Sequence, residues 1–207
     1  MDAKEQLDVI KRIKAIAETG LLYAEGNYDL ERYEELKEIS LKLMAELSGY
    51  SFTKLDNFFL PQLDYPTPKV DVRGLVLNDK DEILMAQEST DGKWTIPGGW
   101  ADVGNTPKEV ALKEIKEETG LDSEIVRLVA VYDKQRHPHP PEPYYIYKLI
   151  FHCKVTGGEL QPGFDMQGAD WFSLEELPPL SEERILESQL HHLYTLVKDN
   201  IQDVYSD

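Results

Sequence analysis

The hydrophobic pattern of this chain changes its period near residue 70, and that change constrains the fold more than any other feature. Before it, apolar residues recur at spacings of three and four, which is typical of amphipathic helices. They are Leu7, Ile10, Ile13, Ala17 and Leu21 in a first segment and Leu36, Ile39, Leu43 and Leu47 in a second. From Val70 onward apolar residues alternate with others, which predicts β-strands. The pattern therefore predicts two helices followed by a domain that contains a sheet.

Residues 1–50 are predicted to form an N-terminal helical hairpin. Gly26-Asn27 breaks the first helical pattern, and Asp29 is a good cap for the second helix. Residues 51–68 follow as a proline-containing linker. Two short amphipathic helices need a partner surface, so the hairpin either packs on the main domain or forms a homodimer. The amount of apolar surface favours the homodimer.

Residues 69–207 are predicted to form one domain in which strands and helices interleave. The predicted strands are Val70–Val76, Ile83–Ala86, Ser123–Tyr132, Tyr144–Val155 and Ala169–Phe172. A capping-box pattern at Ser173–Glu176 predicts a short helix, and a final helix is predicted from about Glu182. Strands interleaved with helices indicate an α/β or α+β fold.

Composition excludes several classes of protein. The formal net charge is −17 among 207 residues, which makes a nucleic acid an unlikely partner because phosphate backbones need a basic face. No apolar run approaches the roughly 20 residues of a membrane span. The single cysteine, Cys153, forms no internal disulfide and fits a reducing cytoplasm.

The segment from Thr106 to Gly120 is a helix with signals at both ends. Thr106 is an N-cap, Pro107 suits the first helical position, and Glu109 completes a capping box. Gly120 is the matching stop. Three acidic residues share one face of this helix within an arc of about 100°: Glu114, Glu117 and Glu118.

This acidic face is unfavourable for the helix itself. Glu114 and Glu118 repel at i, i+4 by about 0.2–0.5 kcal/mol, and the helix dipole disfavours anions in the last turn. Taken alone, the spacing fits either a solvated acidic surface or a site for a hard cation. Clustered carboxylates suit Mg²⁺ or Mn²⁺, and Mg²⁺ is commonly shared with substrate phosphates.

The residues around the acidic trio resemble the Nudix box. Gly99, Asn105 and the run Lys113-Glu114-Ile115-Lys116-Glu117-Glu118-Thr119-Gly120-Leu121 keep its spacing over 23 positions. The resemblance implies an α/β/α sandwich around a mixed sheet. It also implies an enzyme that hydrolyses a nucleoside diphosphate linked to another group. In such an enzyme Glu114, Glu117 and Glu118 would bind Mg²⁺. Under this reading Gly98 and Gly99 let the backbone approach the substrate's phosphates.

Two box positions depart from the family pattern. The family has Glu where this chain has Asn105, and Arg where it has Lys113. Lys lacks the bidentate fork of Arg, so the orientation of the neighbouring Glu should be looser. Since the carboxylates remain, we expect catalysis to be retained. The alternative is a non-catalytic Nudix-fold nucleotide-binding module.

The resemblance extends to the Nudix subgroup that carries an N-terminal helical hairpin. Its marks here are Thr67–Arg73, Pro97–Asp102, His137–Pro141 and Leu177–Ser181. That subgroup includes enzymes of the CDP-choline and ADP-ribose pyrophosphatase type. The resemblance therefore implies a small nucleoside diphosphate derivative as substrate.

Further site candidates lie outside the box. The loop after the Ser123–Tyr132 strand carries the most basic patch of an acidic chain, and it is either solvated or binds substrate. We assign Arg136, His137 and His139 from this loop, together with Arg73, to substrate binding. Asp165 lies in a loop where many Nudix enzymes place a further acid, and it is a candidate base or metal ligand.

Overall fold

The computed structural model describes residues 3–48 and 65–207. The chain divides into two compact units. The hairpin unit comprises Met1–Pro68 and Pro141–Tyr145, and the sheet unit comprises Lys69–Pro140 and Ile146–Asp207. Within the described residues, no helix has both the length and the apolar character that a membrane crossing requires. Residues 51–64, which make up most of the predicted linker, lie outside the described residues.

The hairpin unit contains the two predicted helices, α1 (Ala3–Tyr23) and α2 (Asn27–Ser48). They pack through a small core made of Leu7, Ile10, Leu41 and Met44. Gly20 of α1 allows this approach, because a Cβ there would lie only 2.4 Å from the ring of Tyr33.

The apolar stripe that the sequence marks on α2 is not the face turned towards α1. Ile39, Leu43 and Leu47 are 39–44% exposed, whereas Leu41 and Met44 are buried. Tyr33, which fits closely against Gly20, lies on the face of α2 that meets α1. The marked stripe consequently remains an exposed apolar surface of the hairpin unit.

The segment Pro141–Tyr145 belongs to the hairpin unit by its contacts. The Tyr145 hydroxyl donates to the carbonyl of Asp8 (3.0 Å), and Lys11 Nζ donates to the carbonyl of Tyr144 (3.2 Å). The prediction that a strand begins at Tyr144 is therefore wrong by two residues, since these tertiary contacts outweigh the strand preference of the two tyrosines.

The sheet unit contains eight strands and two α-helices within its described residues. The strands are β1 (Lys69–Val76), β2 (Ile83–Glu88), β3 (Trp94–Thr95), β4 (Gly98–Trp100), β5 (Leu121–Asp133), β6 (Ile146–Gly158), β7 (Met166–Phe172) and β8 (Tyr205–Ser206). The helices are α3 (Pro107–Thr119) and α4 (Glu187–Lys198). A short 3₁₀ helix spans Lys134–Arg136.

The strands form a mixed five-stranded sheet and a three-stranded antiparallel sheet. The five-stranded order is β4-β1-β6-β5-β8, with β1 parallel to β6, and the other order is β3-β2-β7. One core cluster joins the sheets to α4 through Leu190 and Leu193, and a second joins them to α3 through Ala111 and Ile115. The predicted α/β sandwich around a mixed sheet, preceded by a helical hairpin, is confirmed.

Two helix predictions near the end of the chain are wrong. Residues 173–176 form only a turn, and the final helix begins at Glu187 rather than near Glu182. Backbone hydrogen bonds of Trp94 to Pro179 (2.9 Å) and Ser181 (2.8 Å) hold residues 179–181 against β3, and residues 182–184 then form a turn. Pairing with β3 therefore delays the start of the helix.

Candidate active site

Helix α3 presents the acidic trio, and both of its ends are fixed as predicted. The Thr106 hydroxyl accepts from the Glu109 amide (3.3 Å), and the Glu109 carboxylate accepts from the Thr106 amide (2.7 Å). Gly120 adopts a left-handed conformation with φ of 73° and donates to the Lys116 carbonyl. These caps satisfy backbone groups that a helix end otherwise leaves unpaired, so the position of the trio is well defined.

The three glutamates differ sharply in burial. Glu118 is 5% exposed, and its Oε2 accepts from the amide of Gly98 (3.2 Å). The side chain of Glu114 is 17% exposed, and that of Glu117 is 59% exposed. The trio thus runs from a buried carboxylate at Glu118 to a solvated one at Glu117.

Gly98 and Gly99, the first two residues of β4, lie against this carboxylate row. Gly98 has a φ of 151°, and a Cβ there would lie 2.4 Å from the Val72 carbonyl oxygen and the Arg73 side chain. A Cβ on Gly99 would lie 3.3 Å from Glu114 Oε2. Glycine is thus needed at Gly98 for the close approach to β1 and for the amide that faces Glu118.

Arg73 lies on β1 opposite Gly98 of β4 and is buried. Its Nε donates to Asp71 (3.0 Å), and its Nη1 donates to the Thr95 hydroxyl (3.1 Å) and to the Ile96 carbonyl (2.9 Å). Lys148 of β6 also donates to Asp71. Burial would raise the pKa of Asp71, but Arg73 and Lys148 together lower it to about 2.

Burial and neighbouring charges strongly shift the pKa of Glu118. Desolvation raises its pKa to about 8, and the charges of Glu114 and Glu88 add to the rise, while Arg73 opposes it. Desolvation likewise raises the pKa of Glu114. A carboxylate in such surroundings is stabilised in its charged form by a cation, so the electrostatics fit a positively charged ligand.

Glu88 is a member of this site that the sequence analysis missed. It ends β2, is 7% exposed, and pairs with Arg184 through a 2.7 Å contact between Arg184 Nε and Glu88 Oε1. Desolvation raises its pKa, and the charge of Asp165 contributes to the rise while Arg184 opposes it. A single acid at a strand end has no spacing pattern that could have identified it.

The two residues that depart from the box lie at the exposed edge of the site. Lys113 Nζ lies 3.3 Å from Asp102, 3.7 Å from Glu117 and 4.0 Å from Glu114. Asn105 is exposed in the loop before α3, and its amide donates to the Asp102 carbonyl. Lys113 therefore partly offsets the repulsion among the acids without a bidentate pair.

The basic loop after β5 is only partly exposed. Lys134 and His139 are buried, whereas Arg136 is exposed. His139 Nδ1 bonds to the Glu182 carbonyl (2.6 Å), and desolvation by burial lowers the pKa of His139 to about 3. Burial therefore favours the neutral form of His139, and its assignment to substrate binding stays a prediction.

His137 contacts Asp207, the residue that directly follows β8, a strand that the sequence did not predict. Its Nε2 lies 3.0 Å from Asp207 Oδ2. The same carboxylate accepts from the Asp133 amide (2.7 Å) and from the Tyr205 hydroxyl (3.0 Å). Asp207 therefore joins the end of β5 to the loop that follows it.

Asp165 is exposed in the loop between β6 and β7. Its carbonyl accepts from the Ser89 hydroxyl (2.5 Å), which places its backbone beside the end of β2, where Glu88 lies. The loop thus brings Asp165 into electrostatic range of Glu88.

The chemistry of these donors fits a hard divalent cation. Glu114, Glu117 and Glu118 offer carboxylate oxygens, the ligands that Mg²⁺ and Mn²⁺ prefer, and the burial of Glu118 beside two other acids favours a bound cation. Among the residues that the structure describes, no three acidic, histidine or cysteine side chains are already grouped as a metal site.

Comparison with known families agrees with this architecture. Residues 67–193 match the NUDIX domain, so the chain belongs to the Nudix family. Residues 4–59 match the family described as the UDP-X-like N-terminal oligomerisation domain. The protein is a Nudix pyrophosphohydrolase that carries an N-terminal oligomerisation domain.

Several individual proteins resemble the chain over most of its length. The Bacillus subtilis protein YjhB, provisionally named an ADP-ribose pyrophosphatase, is 41% identical over 93% of this chain and 92% of its own. A crystal structure of a UDP-X diphosphatase is 31% identical, with a TM-score of 0.63 and full coverage of both chains. An ADP-ribose pyrophosphatase structure from Streptococcus suis is 37% identical, with a TM-score of 0.62, over 68% of this chain and all of its own.

Proposed function

We propose that this protein hydrolyses the diphosphate linkage of a nucleoside diphosphate joined to another moiety, of the ADP-ribose or CDP-choline type, giving two monophosphates. The observation that carries the proposal is the buried Glu118 carboxylate, bonded to the Gly98 amide and flanked by Glu114 and Glu88. The names of the relatives, ADP-ribose pyrophosphatase and UDP-X diphosphatase, support this substrate class.

Glu114, Glu117 and Glu118 would hold Mg²⁺, with Mn²⁺ as a substitute. The bound metal would neutralise the diphosphate and provide an activated water. Gly98 orients Glu118 through its amide. Asp165 and Glu114 are the candidate bases, while Arg73 keeps positive charge close to the buried acids.

A diphosphate diester suits the charge of the molecule better than a triphosphate. The chain carries a formal net charge of −17, and the site itself contains at least four carboxyl groups. A triphosphate brings more negative charge to the same place. Arg136 and His137, in the loop after β5, are proposed to meet the less charged ester.

A panel assay with product analysis tests the proposal. Purified protein with Mg²⁺ is given ADP-ribose, CDP-choline, UDP-glucose and nucleoside triphosphates, and the products are identified by chromatography. We expect two monophosphates from a diester and neither phosphate nor pyrophosphate. Pyrophosphate released from a triphosphate, with higher efficiency than any diester, would contradict the assignment. Binding without turnover of any compound would favour the non-catalytic module.

The proposed organisation is residues 1–50 as a hairpin, 51–68 as a linker and 69–207 as the hydrolase domain. We propose that the hairpin forms a homodimer, since its family match is an oligomerisation domain and its α2 stripe is exposed.

A further inference from the structure

Phe164 is a fully exposed aromatic side chain beside the candidate active site. It lies in a tight turn, because the Met166 amide donates to the Gly163 carbonyl (3.1 Å). Phe164 and Asp165 occupy the two central positions of this turn. The ring is therefore presented at the tip of a closed loop.

Both sides of this turn are fastened to elements that build the acidic cluster. On one side, the Gly163 amide donates to the Glu118 carbonyl (3.0 Å). On the other side, the Ser89 hydroxyl donates to the Asp165 carbonyl (2.5 Å). These bonds hold the turn between the end of α3 and the end of β2.

The attachment places the backbone of Phe164 close to the end of the helix that carries the acidic trio. With 3.0 Å between the Glu118 carbonyl and the Gly163 amide, and about 3.8 Å between consecutive Cα atoms, the Cα of Phe164 lies within about 8 Å of the Glu118 carbonyl oxygen. The fold thus fixes the backbone of an aromatic residue beside the end of α3 that carries Glu118.

The fold does not bury the ring of Phe164. Burial of such a side chain contributes about 1.5–3 kcal/mol, and an exposed ring gains none of it. The chain neighbours of Phe164 are Gly163 and Asp165, and neither adds apolar surface to the ring. A single ring at a fixed position instead suits a flat ligand.

We propose that Phe164 is the platform on which the nucleobase of the substrate stacks. The inference rests on the proposed function, because a nucleoside diphosphate ester contains one planar aromatic group, the base. Its ribose, its phosphates and a sugar or choline group offer no aromatic face. Stacking tolerates any base, so Phe164 selects a nucleoside without fixing which one.

Replacement of the ring tests this role. Phe164→Ala is expected to raise KM for ADP-ribose and CDP-choline about tenfold, with kcat within about twofold of the parent. Phe164→Trp should restore the parent KM. The control is Val103→Ala, because Val103 is also fully exposed and lies before the other end of α3, a helix about 20 Å long. It should leave KM unchanged.

A base-free substrate separates stacking from a structural effect. In this compound, methyl riboside replaces the nucleoside of the same diphosphate ester, and Phe164→Ala should leave its KM unchanged. An equal rise in KM for this compound would overturn the proposal, because the ring would then only shape the loop. A change in sedimentation confined to Phe164→Ala would overturn it in favour of a protein interface.

A direct binding measurement tests the role of Phe164 separately from the proposed hydrolysis. Affinity for ADP-ribose is measured by calorimetry in EDTA, where no turnover is expected. If the parent hydrolyses diesters but Phe164→Ala keeps the parent KM and affinity, the platform is wrong and the proposed function stands. If the parent hydrolyses none, yet Phe164→Ala alone weakens binding, the platform stands and the hydrolysis proposal fails. Absence of any binding by the parent overturns the platform.

Discussion

Glu118 is the residue whose surroundings are hardest to explain without a ligand. Its carboxyl is 5% exposed and lies in electrostatic range of Glu114 and Glu88. A pKa of about 8, against an ordinary value near 4.5, corresponds to on the order of 4–5 kcal/mol against the charged form. A bound cation reverses this preference, which is why the buried acid is better explained by function than by stability.

Glu118→Gln is the substitution that tests this role directly. Glutamine keeps the size of the side chain and its acceptor for the Gly98 amide but removes the charge. We expect turnover to fall by about two to four orders of magnitude, while circular dichroism shows an unchanged fold. Steady-state rates with Mg²⁺ measure the effect. Activity within tenfold of the parent would contradict the assignment of Glu118 as a metal ligand.

The raised pKa of Glu118 also predicts how stability depends on pH in metal-free buffer. Between about pH 4.5 and 8 the folded state holds a proton on this carboxyl that the unfolded state has lost. The Glu118 contribution to the free energy of unfolding is therefore fully present below pH 4.5 and is lost as the pH rises through 8.

Thermal unfolding in EDTA at several pH values checks this sign. The melting temperature of Glu118→Gln should fall less between pH 5 and 8 than that of the parent. Parallel curves for the two proteins would show that Glu118 does not titrate in this range.

At this scale, the sequence predicted the residues that follow a spacing rule and missed those that depend on tertiary contacts. Glu114, Glu117 and Glu118 were found because a helix places them on one face. Glu88 was missed because only the folding of β2 towards α3 makes it part of the cluster. The neutral state of His139 was missed because burial, not sequence, lowers its pKa.

At the scale of elements, the end of α3 and the loop between β6 and β7 form one structure. The amides of Gln161 and Gly163 donate to the carbonyls of Thr119 and Glu118, each at 3.0 Å. A Cβ on Gly163 would lie 2.0 Å from the Glu117 carbonyl oxygen. The loop thus completes the helix end that carries the acids.

Gly163→Ala should separate these two elements. Because the clash is with backbone rather than with a flexible side chain, we expect a loss of about 1–3 kcal/mol in the free energy of unfolding and a fall in kcat. The matched control is Gly157→Ala, whose Cβ would meet only Asp122 Oδ2 at 3.8 Å. Urea unfolding and steady-state kinetics of both variants measure the effects. Equal stability of the two would contradict this packing.

Elements with strong local signals were predicted well, and those set by partners were not. The capping box and the final glycine located α3 to the residue. The region of residues 173–186 carries helix-like patterns, but pairing with β3 keeps part of it extended. Strand β8 has two residues and forms only because β5 offers a parallel edge, which no local pattern indicates.

At the scale of the whole molecule, the strongly negative net charge opposes the binding of an anionic substrate at the candidate site. A chain with a net charge of −17 repels anionic substrates at long range. Close to the acids, however, the fold buries Arg73 and Lys148 around Asp71. Under the proposed function, attraction of a diphosphate would therefore be local and would depend on a bound metal and nearby cations rather than on the overall field.

The exposed stripe of α2 leads to the last prediction, which concerns assembly. Ile39, Leu43 and Leu47 follow helical spacing and are all exposed, within a segment that matches an oligomerisation domain. A second copy that covers this stripe would remove it from water. Leu43→Glu places a charge at its centre and should convert a homodimer to a monomer at micromolar concentration in analytical ultracentrifugation. Val103→Glu, at an exposed position of the sheet unit, should leave the dimer intact. A monomeric parent would exclude the homodimer. A dimeric Leu43→Glu variant would show that the dimer interface does not include the stripe on α2.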